Sequence, residues 1–237
     1  MNVHEREEMY GRMCIAVDWI ERCREFASLI PEVRTNFVYA ASDAETPQDV
    51  LAVDGRITVR NGMPHACGKP RFGASSHMAR AMIEIRRVDP SIRAAINFAS
   101  DPDIVKWLTG YCGEKGWNLI GVDRSLEPEE VKAEEQASMP WKVGELFRLS
   151  GGVVPKLFYE SGAVGKEPVT ALVGPDPLTV AREMCEIACL YAQARSPAPK
   201  IGKIDLKTFE NVVLSHLGKR DPSVLVPPMT GIDAGVI

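Results

Sequence analysis

Apolar strand-like runs alternate with amphipathic helical segments along this chain, most clearly over residues 93–123, and that alternation most constrains its fold. R-A-A-I-N-F at 93–98 is followed by helical periodicity from about Pro102 to Lys115, then by W-N-L-I-G-V-D at 117–123. Strand, helix and strand in succession specify an α/β sheet. Near-continuous apolar strands are expected where helices cover both sheet faces. Helical segments follow at 128–136 and 139–149, strands at 156–160 and 168–173, and an amphipathic helix at 177–194. The expected architecture is a three-layer α/β/α-type domain with a mixed sheet, plus a short C-terminal extension.

Upstream, residues 4–29 repeat apolar side chains at Met9, Met13, Val17, Ile20 and Ala27, an amphipathic helix stopped by Pro31. Residues 1–30 are expected to pack on the main domain, and the same apolar face is a possible homodimer surface. Strand-like runs follow at 35–40 and 49–60, where Asp54-Gly55 predicts a two-residue hairpin turn. Beyond a Gly/Pro-rich stretch at 61–73, helical periodicity resumes over 75–87. The main domain is expected over 31–194, ending at a proline-bearing linker, R-S-P-A-P-K, that opens a 195–237 extension.

Composition narrows the partners. With 45% hydrophobic and 25% charged residues and a net charge of −4, both signs interspersed, nothing suggests a nucleic-acid footprint or a membrane-surface patch. No run approaches the ~18 apolar residues of a spanning helix, and M-N-V-H-E-R-E-E is too charged for a secretory signal. Cytoplasmic residence is the expectation. The six cysteines lack zinc-site CxxC spacing and disulfide-scaffold density. Cys185 and Cys189, four residues apart on a helical pattern, read as core packing, and all six as reduced thiols.

Four polar constellations stand where strands end and helices begin, the usual ligand position in open α/β sheets. In G-K-P-R-F-G-A-S-S-H-M-A-R, Arg71, Gly73, Ala74, Ser75, Ser76 and His77 precede or open a helix. The first amides of a helix lack intrahelical partners and carry partial positive charge, so this loop suits a phosphate, although Ser75 or Ser76 reads equally as a plain N-cap. Arg56 follows the Asp54-Gly55 turn and by itself reads first as a surface strand arginine. Asp123, Arg124 and Glu127, in V-D-R-S-L-E-P, fit either a diphosphate with Mg²⁺ or an ion pair at a helix start. The fourth, S-G-A-V-G-K-E-P, contains Gly165, Lys166 and Glu167 but has Glu where a P-loop needs Ser or Thr. A kinase reading fails there, while Lys166 remains either a phosphate contact or a solvated turn lysine. Asn36 and Asn97 place amides in otherwise apolar strands, where structural hydrogen bonding is the usual role.

The blocks L-I-P-E-V-R-T-N-F-V-Y-A, D-V-L-A-V-D-G-R-I-T, G-K-P-R-F-G-A-S-S-H-M-A-R, D-P-S-I-R-A-A-I-N-F, V-D-R-S-L-E-P and G-K-E-P occur in that order. Together, over about residues 29–194, they resemble the archaeal-type thiamine-phosphate synthase domain, the ThiN family. The resemblance implies a transferase that joins hydroxymethylpyrimidine diphosphate to hydroxyethylthiazole phosphate and releases pyrophosphate. It implies Arg56 and His77 as the catalytic pair and Mg²⁺ accompanying the diphosphate, with Asp123 or Glu127 as candidate contacts and the metal ligands otherwise unassigned. Both catalytic positions are filled, whereas the family's helix-turn-helix regulators tend to lose them, and with about 30 residues ahead of the match a complete DNA-binding domain is not expected. A non-catalytic thiamine-phosphate sensor or accessory module of a larger protein is the alternative. The extension, with G-K-I-D and G-I-D-A-G-V-I, resembles the opening of domains related to aminoimidazole-ribonucleotide synthase and the hydrogenase-maturation ATP-binding family, and no activity is carried over from it.

Overall fold

A computed structural model of the chain describes residues 1–133, 135–161 and 167–196. The 195–237 extension lies outside them but for its first two residues. Met1–Ser196 form one compact unit.

Helix α1, Val3–Arg22, begins where the Asn2 side chain accepts from the Glu5 amide at 2.8 Å, and its stripe of Met9, Met13, Val17 and Ile20 is buried. The expected helix to residue 29 is shorter: Cys23, with ψ 88°, ends it, and Arg24–Leu29 continue as a 3₁₀ turn. The stripe packs against the long helix α6, Pro177–Arg195. It faces the domain interior and does not offer the homodimer surface the sequence suggested.

Nine strands follow among the described residues, β1 (Phe37–Ala40), β2 (Val50–Val53), β3 (Ile57–Arg60), β4 (Met63–Ala66), β5 (Pro70–Phe72), β6 (Ala94–Ala99), β7 (Leu119–Val122), β8 (Leu157–Glu160) and β9 (Val169–Gly174). Seven form one sheet in the order β5-β2-β1-β6-β9-β8-β7, antiparallel throughout except for the β7–β8 pair. The mixed sheet agrees with expectation, but the expected β2–β3 hairpin does not form. Gly55 and Arg56 take φ of +72° and +69°, turning the chain away from β2. β3 then pairs with β4 across Asn61-Gly62, whose φ values of +53° and +73° suit a type I′ turn.

Helices cover both faces. α1, α6 and α3 (Pro102–Lys115) pack on one, over Phe37, Ile96, Phe98 and Leu172; α2 (His77–Val88) and α5 (Glu135–Leu149) pack on the other, over Val38, Ala95, Phe158 and Ala171. Short α4, Glu129–Ala133, precedes α5. α3 and α6 start alike: Asp101 and Asp176 each accept two backbone N–H bonds ahead of a proline at N1, a cap that stabilises by about 1 kcal/mol. No described helix is long and apolar enough to cross a membrane.

Candidate active site

A cavity of about 480 Å³ lies between α2 and α5 over the β6, β9, β8 and β7 part of the sheet, within the usual range for a small-molecule site. Met78, Ala81, Val122, Met139, Val143, Leu146, Phe158 and Ala171 supply apolar walls. Four cations, Arg56, Arg80, Arg124 and Lys142, stand around them with three carboxylates, Glu127, Glu160 and Glu167.

Register explains the charged end. β7 and β8 run parallel with Val122 opposite Glu160, so residues just past both strands meet on one side. Arg124, buried in the turn after β7, donates from Nη2 to Glu127 Oε2 at 3.0 Å, and Glu127 also accepts from Ser138. Burial alone pushes the Glu127 carboxyl up, but those hydrogen bonds and the Arg124 and Lys142 charges hold it below its usual range. Lys142, 5% exposed, reaches from α5 to Glu160 at 2.7 Å. Arg124 Nε is buried without a hydrogen-bond partner, and Glu160 Oε2 stands 3.8 Å from it, too far for a hydrogen bond. A buried donor in this state is aimed for an acceptor.

His77 opens α2 and is accessible within the cavity. Helix α2 has no side-chain cap: Ser76 occupies the N-cap position in α-helical φ/ψ and makes no capping bond. The plain N-cap reading of Ser76 therefore fails. Crowding by the surrounding protein lowers the His77 pKa below 6.5, with further lowering by Lys142, Arg80 and Arg124, while Glu160 opposes them. At neutral pH the unliganded imidazole is neutral.

Arg56 is held in left-handed backbone, which costs a non-glycine residue about 1 kcal/mol. Its guanidinium donates to the Val33 carbonyl. The Val33 and Glu32 amides in turn donate to the Glu167 carboxylate at 2.9 and 3.0 Å, tying the loop that anchors Arg56 to the start of β9. Asn97, 3% exposed, accepts from the Asn36 amide at 2.6 Å, and Ser75 Oγ lies 3.2 Å from Asn36 Oδ1.

Of the residues singled out from sequence, Asn36, Arg56, His77, Asn97, Arg124, Glu127 and Glu167 line the cavity. Ser75 supports it through Asn36, whereas Gly73, Ala74 and Ser76 are not on its wall. Arg71 pairs with Asp54 at the surface, and Asp123 caps the turn after β7 through Ser125 N and Ser161 Oγ. Gly165 and Lys166 lie outside the described residues. Sequence reasoning passed over Lys142, Glu160 and Arg80. Lys142 had a signal: it sits three residues after Met139 and four before Leu146, a cation inside an apolar helical stripe.

Each lining carboxylate is engaged: Glu127 by Arg124 and Ser138, Glu160 by Lys142, Glu167 by two amides. The described lining residues therefore do not fit a protein-held Mg²⁺.

Fold and site together define a three-layer α/β/α domain with a charge-walled small-molecule pocket. More particularly, the chain belongs to the thiamine-phosphate synthase ThiN family, whose sequence model matches residues 12–186. It is 41% identical over 176 residues to the thiamine-phosphate synthase ThiN of Methanothermobacter thermautotrophicus, covering 74% of this chain and 90% of that one. The bifunctional thiamine biosynthesis protein ThiDN of Methanocaldococcus jannaschii is 31% identical over 69% of this chain and 37% of its own length. Among solved structures, the C-terminal domain of a phosphomethylpyrimidine kinase superposes with a TM-score of 0.73 at 35% identity, covering 77% of this chain and all of that domain.

Proposed function

We propose that the α2–α5 pocket joins hydroxymethylpyrimidine diphosphate to hydroxyethylthiazole phosphate, giving thiamine monophosphate and pyrophosphate. The observation that carries this reading is that Arg56 and His77, from separate elements, line one cavity together with Arg124, whose buried Nε has no partner. In the reaction the pyrimidine methylene–oxygen bond breaks and its electron pair leaves on pyrophosphate. The thiazole ring nitrogen donates its lone pair to the methylene carbon, forming the new C–N bond and a thiazolium.

Negative charge grows on the leaving oxygens, and preorganised cations lower that barrier most where water is excluded. Arg56 and Arg124 suit the role because guanidinium is permanently charged and binds phosphate oxygens in pairs. An arriving diphosphate raises the pKa of the neutral His77, which then donates a proton or hydrogen bond to the departing oxygen. Apolar walls formed by Phe158, Met139 and Val143 suit two flat heterocycles, and holding them in contact converts encounter into reaction. Mg²⁺ enters as the salt of the diphosphate. Phosphorylated metabolites as the partners favour the cytoplasm as the place of work, with no nucleic acid involved.

Purified protein incubated with both phosphorylated precursors and Mg²⁺ is expected to release thiamine monophosphate and pyrophosphate in equal amounts. Tight binding of thiamine monophosphate without turnover would favour the sensor reading instead.

A further inference from the structure

Away from the pocket, two thiols and a carboxylate converge where α1 ends against α6. Cys23 terminates α1, Glu25 lies in the following 3₁₀ turn, and Cys185 and Cys189 are one helical turn apart on α6. Cys23 Sγ, Cys189 Sγ and a Glu25 carboxylate oxygen all lie within 4.8 Å of one another, and Cys189 Sγ is 3.8 Å from Glu25 Oε2. Cys185, one turn before Cys189 on α6, donates from Sγ to the Trp19 carbonyl at 3.8 Å.

Plain packing accounts for buried thiols, since free cysteine behaves as a small hydrophobe. It does not account for a carboxylate set against them. Across a tetrahedral ion with ordinary Zn–S and Zn–O bonds, sulfur and oxygen ligands stand roughly 3.5 Å apart. The Cys189–Glu25 separation is already close to that. The backbones are fixed by the α1–α6 core contact, and positions four apart on a helix share a face. Access is open on one side only: Cys23 and Cys185 are buried, Cys189 is half-buried and Glu25 is exposed.

We propose that Cys23, Cys189 and Glu25, with a water as the fourth ligand, bind a thiophilic divalent ion of the zinc type. Sulfur donors select such an ion over Mg²⁺ or Ca²⁺. Binding releases the thiol protons as the thiolates form. None of the three residues lines the active-site cavity, so the ion clamps the end of α1 to α6 and takes no part in turnover.

The full chain, purified under reducing conditions and stripped with a chelator, is titrated with Co²⁺ as an optical substitute for Zn²⁺. One equivalent per chain is expected to produce thiolate-to-cobalt charge-transfer absorption and tetrahedral d–d bands, both abolished by equimolar Zn²⁺. Cys189→Ser, at the half-exposed position, is expected to remove the bands and the Zn²⁺-dependent rise in Tm, whereas Cys67→Ser leaves both intact. Absence of a thiolate band at stoichiometric Co²⁺ would overturn the proposal. So would bands that persist in both Cys23→Ser and Cys189→Ser, or a Cys23–Cys189 disulfide found by mass spectrometry in protein from cells.

Discussion

Replacing Lys142 by methionine separates a structural from a functional role for the buried charges in the pocket. At 2.7 Å the Lys142–Glu160 pair has a gross attraction of about 6 kcal/mol at an effective dielectric constant of ~20. Desolvation of both groups cancels most of that, so the intact pair is close to neutral for stability. Removing Lys142 alone leaves Glu160 with the longer Arg124 Nε contact at 3.8 Å. This partial compensation lowers the expected cost below the 3–5 kcal/mol of a fully stranded charge, to about 2–3 kcal/mol. For a domain of this size the Tm should fall by roughly 5–10 °C. Lys142→Met/Glu160→Gln should regain most of the loss, because no unpaired carboxylate is left. Both variants should still show at least a ~10-fold lower kcat/KM for the diphosphate, since the cation beside His77 is gone. Thermal unfolding by circular dichroism and a pyrophosphate-release assay read the two effects. A double variant as unstable as the single would refute the stranded-charge argument, and wild-type kinetics in the double variant would remove Lys142 from the site.

Arg56→Gly relieves the left-handed strain while deleting the guanidinium. It should cut the rate by at least ~10²-fold and leave Tm unchanged or raised by the 2–4 °C that about 1 kcal/mol corresponds to; an active Arg56→Gly protein would contradict the assignment. His77→Ala should lose at least ~10²-fold in kcat with little change in Tm, read in the same two assays. Because the unliganded His77 pKa lies below 6.5 and a bound diphosphate raises it, binding takes up protons only between the two values. Calorimetry near pH 6.5 in buffers of different ionisation enthalpy should show that uptake, reduced in His77→Gln; equal uptake in both proteins would refute it. Glu167→Gln can accept at only one amide oxygen where the carboxylate now accepts two N–H bonds. Loosening the Arg56 anchor should raise KM for the diphosphate ~10-fold or more with little loss of Tm, as measured by steady-state kinetics.

Local rules made much of the fold legible. Asp-Pro caps opened α3 and α6 close to where their patterns placed them, and Gly116, at φ +68°, closes α3 as a left-handed C-cap. The misplaced hairpin was also decidable locally. Asn61-Gly62 is the stronger type I′ signal, and weighing it above Asp54-Gly55 would have paired β3 with β4.

The sequence by itself determined the apolar periodicities, the caps and the six ordered blocks that carry the family. These depend only on neighbours along the chain or on residue identity. Tertiary structure decided which charges share a site. Lys142 and Glu160 meet because β7 and β8 run parallel in a register that places Glu160 beside the turn after β7, with α5 laid over both. The same kind of long-range packing brought Cys23 and Glu25 to Cys189, more than 150 residues away in the chain. Contacts of such long sequence separation are set by strand order and helix packing, and no local pattern encodes their partners.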